Sequence, residues 1–344
     1  MPPLPSPLFN GSLGVLVPPK PPSAGGATRG STRGPTFGTT EWTMRWCAAA
    51  EAAGASGIWL SDHLLWRTPT LEPFTSLPLA AAATKRAAVG TCVLQLPLRS
   101  TAAVAKQSAA IQLQSGGRFV LGVGVGSHRG EYDRAGEQFA TRGRRLDDAI
   151  EAMRTLWALD PSAAYRMEPP THVPVWVGGS SQAARRRAAA LGDGWVPLFV
   201  APDAFGDGLD EVRSNACAAG RDPGALHGAV VMVAAVGESV PAATRSASEW
   251  LAHLYGIPPK AFERHVVAGP PERCAEAAAH YVEAGADHVV VMVADDDALG
   301  HFGQIAEAHD AARGPATALA GAAPAGAALA GAGLAGAGLS GAGL

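Results

Sequence analysis

Several short stretches of this chain carry residue types that could do chemistry, and each follows an apolar run. Ser61-Asp62-His63-Leu64-Leu65-Trp66 sets a carboxylate beside an imidazole, with an indole three residues on. An Asp–His pair at a strand end can bind the polar edge of a ring or move a proton. Trp66 could then wall a planar ring. The plainer reading is that Asp62 caps a turn and His63 is simply hydrogen-bonded. A second stretch, Val177-Gly178-Gly179-Ser180-Ser181-Gln182, leads straight into a helical segment. Its glycines let backbone N–H groups face inward, serine adds a hydroxyl, and the helix start adds partial positive charge. Together these suit a phosphate, although an ordinary Gly–Ser cap has the same sequence. Arg185, Arg186 and Arg187 lie about one turn further into that helix and are expected to face solvent.

Other candidates are weaker. Gly122-Val123-Gly124-Val125-Gly126 would let a ligand approach closely, but its spacing is not the dinucleotide fingerprint and no helix opens at once. His128, Arg129 and Glu131 follow, either as loop residues of a pocket or as a solvated surface run. Cys92 follows Gly90-Thr91 with no base beside it, which favours a small core residue over a reactive thiol. Asp295-Asp296-Asp297 could bind a divalent cation, yet no His is placed beside them, so they read as a solvated helix start. No metal site is expected. HExxH, GxSxG and GxxxxGK[ST] are all missing from the sequence, which leaves protease, α/β-hydrolase and nucleotidase readings without local support.

What positions these residues is an alternation of strands and helices. Apolar, β-branched runs are expected as strands at Leu13–Val17, Gly57–Ser61, Ala88–Leu94, Arg118–Gly124, Val173–Val177, Trp195–Phe199, Ala229–Val236 and His288–Val293. Helices are expected from a cap at Thr39 or Thr40 to Gly54, over Pro78–Arg86, from Thr101 to about Ser115, and over Arg142–Leu159. Others should cover Ser181–Leu191, Asp203–Ala219, Ala242–Tyr255, Pro271–Ala284 and Leu299–Ala312. Short buried strands alternating with helices predict a parallel sheet covered on both faces. Eight such units suit a closed (β/α)₈ TIM barrel, whose active site lies at the strand C-termini. A doubly wound open sheet is the structural rival.

The bulk composition agrees. Of 344 residues, 47% are hydrophobic, enough to bury a large core. A formal charge of −3 argues against nucleic acid or an anionic membrane as partner, since both favour a basic surface. Cys47, Cys92, Cys217 and Cys274 are scattered, as reduced thiols in a cytoplasmic protein would be. MPPLPSPLFNGS does not read as a secretory signal. The barrel domain is expected over residues 1–312. Residues 313–344, rich in Ala and Gly, are expected to be a disordered low-complexity tail. A membrane anchor is the alternative, but Gly is a poor helix former with no side chain to bury.

Four stretches in order, AEAAGASGIWLSDHL, GGRFVLGVGVG to RRLDDAIEAMRTLW, PVWVGGSSQAARRRAAALGDGW and GPPERCAEAAAHYVEAGADHVVVMV, resemble the bacterial luciferase-like family. The resemblance implies a TIM barrel with coenzyme F420 or FMN lying across the strand ends. It places Asp62 and His63 at the cofactor ring, with Trp66 a ring neighbour. His63 would act as acid/base or ring contact, and Asp62 would orient it. It implies a bulge with a non-proline cis peptide at Thr91-Cys92-Val93, behind the ring. Gly178, Gly179 and Ser180 would receive the cofactor phosphate, and Gly124 and Gly126 would floor the pocket.

The implied activity is that of an oxidoreductase on a small organic substrate. With F420 it would transfer hydride; with reduced FMN it would be a monooxygenase. A homodimer is also implied. The segment between Trp157 and Val175 is shorter than usual for the family, which leaves the pocket's cover and its substrate open. Two alternatives stand: a non-catalytic cofactor-binding paralogue, and a phosphosugar isomerase or Schiff-base aldolase. The aldolase would need a buried lysine at a strand end, and Lys20, Lys85, Lys106 and Lys260 are not expected there.

Overall fold

The computed structural model describes residues 9–19, 35–158 and 172–314. Most of the Pro/Gly-rich stretch after the first strand, most of the short segment before Val173, Lys20 and nearly all of the Ala/Gly-rich tail lie outside the described residues.

The strands run β1 (Ser12–Leu16), β2 (Gly57–Leu60), β3 (Ala88–Gln95), β4 (Phe119–Gly124), β5 (Val175–Gly178), β6 (Gly194–Val196), β7 (His227–Val236), β8 (Val266–Gly269) and β9 (His288–Val293). Between and after them lie α1 (Thr40–Ala52), α2 (Pro73–Ala83), α3 (Thr101–Gln114), α4 (Arg129–Ala135), α5 (Arg142–Trp157), α6 (Gln182–Leu191), α7 (Pro202–Ala218), α8 (Val240–Tyr255), α9 (Pro271–Glu283) and α10 (Ala298–Arg313).

Strands β1 to β7 pair in chain order, β7 pairs with β9, and β9 closes on β1. Every pairing is parallel. The result is the closed eight-stranded barrel of alternating strands and helices expected above, not an open sheet. Strand β8 is extra. At Val233 and Ala234, β7 is paired with β8 as well as with β9. β8 therefore takes the side of β7 that β6 leaves after pairing at His227 and Gly228.

Local chemistry accounts for the helix starts. Thr39 caps α1, its Oγ1 accepting from the Trp42 N–H at 3.2 Å, a favoured cap residue in its usual role. The second helix begins five residues earlier than expected and stops at Ala83 rather than Arg86. Glu72 caps Thr75 and Pro73 occupies the first turn, where its missing N–H costs nothing. Pro78 thus lies inside the helix instead of starting it. Among the described residues, no helix is long and apolar enough to cross a membrane.

Two apolar layers hold the barrel. One lies between strands and outer helices and includes Val15, Ile58, Leu77, Val89, Leu121, Ile150, Val177 and Phe302. The other fills the interior with Phe9, Trp59, Val120, Trp176, Val231 and Val290. Trp59 and Trp176 stack with ring centroids 5.1 Å apart, and Phe9 lies 5.1 Å from Trp176. Such large rings fit only because facing positions lack side chains. A Cβ on Gly57 would stand 2.6 Å from Trp59 Nε1, and one on Gly194 would stand 2.6 Å from Trp176 Cδ1. His288 completes this layer. Its Nε2 accepts from Trp59 Nε1 at 3.0 Å, and its Nδ1 lies 3.0 Å from Ser12 Oγ. Burial pushes its pKa down to about 3, so the ring is neutral.

Candidate active site at the barrel mouth

His63 follows β2 by three residues, at the end of the barrel where such sites form. Its Nδ1 lies 3.1 Å from Oε2 of Glu131. Glu131 is no surface residue: it sits on α4 with no exposed surface. Besides His63 it accepts from the Leu65 N–H at 3.1 Å and from Gln95 Nε2 at 3.2 Å. Burial alone would push the Glu131 carboxyl up, but these hydrogen bonds and the nearby imidazole bring it below its ordinary value. It is therefore a carboxylate at neutral pH, fit to take a proton donor at His63 Nδ1. Gln95 Nε2 also stands 3.1 Å from Nδ1. That amide nitrogen can only donate, so the acceptor for an Nδ1 proton is the ionised Glu131, and Gln95 donates to Glu131 and to the Asp62 carbonyl at 2.9 Å. Nε2 of His63 is left as the free ring nitrogen.

The helix carrying Glu131 is short but anchored. The Tyr132 hydroxyl donates to the Val125 carbonyl, and Gly136, at φ 72°, ends the helix in the left-handed conformation. The sequence signal for it was slight, with seven residues and no side-chain cap. The sequence alone therefore allows Glu131 as a loop residue of a pocket or as part of a solvated surface run. The glutamate two residues after Arg129, with a glycine-ended turn behind it, was the available clue.

Asp62 faces away from His63. Its Oδ1 lies 2.7 Å from Arg99 Nη2, and its Oδ2 accepts from the Gln95 N–H at 2.9 Å. The expectation that Asp62 orients His63 by direct contact is corrected: Glu131 makes that contact. Asp62 instead ties the end of β2 to the end of β3, and Arg99 bridges it to Glu72 at 2.9 Å. Trp66 stacks face to face on the His63 ring, centroids 3.7 Å apart and planes 15° from parallel. His128 and Tyr255 meet Trp66 edge-on at 5.7 and 5.8 Å.

The third strand breaks register between Thr91 and Leu94, and the Cys92–Val93 peptide is cis, where the resemblance put it. Thr91 is buried and donates to the Gly122 carbonyl at 2.6 Å. Burial pushes the Cys92 thiol up to about 12, so it is no thiolate at neutral pH. Glycines at and just beyond the ends of β4 and β5 make room for this bulge. A Cβ on Gly124 would stand 2.6 Å from Val93 Cγ2, one on Gly178 would stand 2.8 Å from Val93 Cγ1, and one on Gly126 would overlap the Gln95 amide. Gly124 and Gly126 thus do not themselves floor an open pocket; Val93 and Gln95 fill the space above them.

The Gly178–Ser180 turn lies at the end of β5. Gly179 adopts φ 107°, a conformation that favours glycine. Gly179 and Ser180 are exposed. Ser181 caps α6 by accepting from the Ala184 N–H, which leaves the first amides of the helix without intrahelical partners. Arg185 donates to the Ser180 carbonyl at 2.8 Å and to Glu211 at 2.6 Å, and Arg187 pairs with Asp147. Two of the three arginines are therefore tied up in ion pairs rather than facing solvent freely.

At the last strand, Asp297 caps α10 and Asp295 pairs with His301 at 2.6 Å. His301 is a histidine partner that sequence reasoning overlooked. Among the described residues no group of three His, Cys, Asp or Glu could hold a metal ion. Lys85, Lys106 and Lys260 are exposed, and none stands at the end of a barrel strand, so the aldolase reading gains nothing.

The family description "luciferase-like monooxygenase" matches residues 13–288, and the chain belongs to that family. A phthiodiolone/phenolphthiodiolone dimycocerosates ketoreductase of Mycobacterium tuberculosis is 29% identical over 264 residues, 65% of this chain and 69% of that one. An F420-dependent secondary alcohol dehydrogenase, solved with an F420–acetone adduct, superimposes with a TM-score of 0.66 at 20% identity, covering 78% of this chain and 94% of that one. The oxygenating constituent of 3,6-diketocamphane monooxygenase from Pseudomonas putida, solved with FMN, gives 0.65 at 17% identity, covering 86% and 96%. At such identities the structural likeness speaks for the fold.

Proposed function

We propose that this chain is a coenzyme F420-dependent oxidoreductase that interconverts a secondary alcohol and its ketone. The observation that carries the reading is His63. One ring nitrogen is held by a buried carboxylate and the other is free, at a strand end of the barrel mouth.

The residues present fit such a cofactor. Val93 offers an apolar surface between Gly124 and Gly178, as the back of a planar ring requires. The exposed Gly179–Ser180 turn at the start of α6 offers unused amides to an anionic tail. When bound, the cofactor would supply the hydride acceptor or donor.

The chain's own residues would manage the proton. Glu131 accepts from Nδ1–H and so keeps Nε2 as the basic nitrogen of the neutral ring. Nε2 then takes the hydroxyl proton as an alcohol is oxidised. In the reverse direction the imidazolium returns that proton to the carbonyl oxygen. Glu131 stabilises the imidazolium in both directions, and Trp66, stacked on the ring, fixes its plane. The names of the ketoreductase and of the alcohol dehydrogenase agree with this reaction. Reduced FMN and monooxygenation are the second reading, favoured by the FMN-bound relative.

Turnover can be followed by the bleaching of oxidised F420 with a panel of secondary alcohols. The expected result is turnover that falls roughly a hundredfold or more in His63→Ala. Full activity in that variant would remove His63 from the chemistry.

A further inference from the structure

Beside the His63–Trp66 stack lies a cleft of about 370 Å³, lined by Leu65, Trp66, Arg67, His128, Arg134 and Tyr255. Its lining holds two guanidinium groups and an imidazole but no carboxylate. Arg67 makes no hydrogen bond or ion pair among the described residues. Its guanidinium lies over Gly256, where any Cβ would collide with it. Gly256 ends α8 in the left-handed conformation, at φ 68°, so the guanidinium sits at the negative end of that helix. Arg134 makes a single 3.3 Å bond to the Gly130 carbonyl of its own helix. The same helix carries two carboxylates: Glu131 is buried and already engaged by His63, Leu65 and Gln95, and Asp133 is exposed and does not line the cleft.

The two exposed guanidinium groups have no carboxylate partner among the described residues, and in a chain of net charge −3 they form a local anion site. The other walls are an indole, a phenol ring and Leu65. We infer that this cleft binds the substrate, and that the substrate is an organic anion: an apolar or aromatic body against Trp66 and Tyr255, with a carboxylate or phosphate on Arg67 and Arg134. The assignment of that anion as substrate rests on the hydride-transfer reading. The cleft shares no residue with the Gly178–Ser180 turn proposed for the cofactor's own anionic group, so the two anions would be held on different loops of the mouth. A body packed on Trp66 would also stand beside the imidazole that Trp66 stacks on.

The probes are 2-naphthoate and its neutral counterpart 2-naphthamide, titrated calorimetrically into the full chain without cofactor. Naphthoate is expected to bind tighter by roughly tenfold or more, the value of a charge-assisted hydrogen bond. Arg67→Gln and Arg134→Gln should each erase most of that preference. Arg67→Lys should keep part of it, and Arg45→Gln, on the exposed face of α1, should keep all of it. Equal affinity for the two probes, or a preference that survives both glutamine variants, overturns the inference. Titration of F420 and of its tail-less ring separates the sources of the anion. If Arg67→Gln and Arg134→Gln weaken F420 but not the tail-less ring, the cleft serves the cofactor's acidic tail and the substrate assignment fails. Failure of F420 to bind would overturn the proposed function while leaving the naphthoate result standing.

Discussion

Nδ1 of His63 lies 3.1 Å from Oε2 of Glu131, a carboxylate with no exposed surface and 68 residues away in sequence. The contact joins the end of β2 to the helix after β4. It gives the barrel mouth an imidazole of fixed tautomer with one nitrogen free. Gln95, from the end of β3, touches both partners and the Asp62 carbonyl, so three consecutive strand ends converge on one ring.

Glu131→Gln keeps the shape of that contact and removes its charge. On the proposed proton transfer, the imidazolium would then lose its counter-ion. kcat is expected to fall roughly tenfold to a hundredfold with KM little changed, because the interaction strengthens only as the ring becomes charged. Steady-state kinetics with F420 and a turned-over alcohol measure the split. An unchanged kcat would detach Glu131 from the proton transfer.

The packing of Val93 over the glycines of neighbouring strands can be tested by a double-mutant cycle. A Cβ at Gly124 would stand 2.6 Å from Val93 Cγ2, too close for either side chain to stay in place. Gly124→Ala is expected to destabilise the barrel by about 1–3 kcal/mol, as overpacking does. Val93→Ala should recover most of that loss, giving a favourable coupling in urea denaturation. Strict additivity of the two changes would show that the residues do not press on one another.

Much of this arrangement was legible in the sequence. Eight apolar runs with helices between them predicted the closed barrel, because strands buried on both faces read as unbroken β-branched stretches. Asp62, His63 and Trp66 were found because they follow such a run. The cis peptide at Cys92–Val93 came from the resemblance and not from local residues. β8 was missed: four residues, Val266 to Gly269, bounded by proline and paired over one half of β7, give no periodicity to read. Glu131 stood open between a pocket residue and a solvated surface run, because a polar residue in a charged stretch looks solvated until tertiary contacts bury it. Asp62 was given His63 as partner because the two are adjacent in sequence. In the loop after β2, however, its carboxylate meets Arg99 and the Gln95 N–H, partners 37 and 33 residues away.

The buried His288 makes stability fall on the acid side. Its folded pKa is about 3, against 6.5 for an ordinary histidine. Below pH 6.5 the unfolded chain therefore binds a proton that the folded chain refuses. Protonation would also break the hydrogen bond that Nε2 accepts from Trp59. Stability from this group is present above pH 6.5 and is lost as pH falls toward 3. Between pH 7 and pH 5 the loss is about 2 kcal/mol. His288→Gln removes the titration and keeps an acceptor for Trp59. Urea denaturation at both pH values should show a smaller drop in the variant than in the parent, whereas equal drops would mean that His288 does not govern the acid limb.

The most direct test of the central claim is a pair of fluorescence titrations of the purified chain, one with F420 and one with FMN. Saturable binding of F420, weakened when Gly179 at the start of α6 is replaced by valine, is the expected result. Binding of FMN alone would move the chain to the monooxygenase reading, and binding of neither would contradict a cofactor at this barrel mouth.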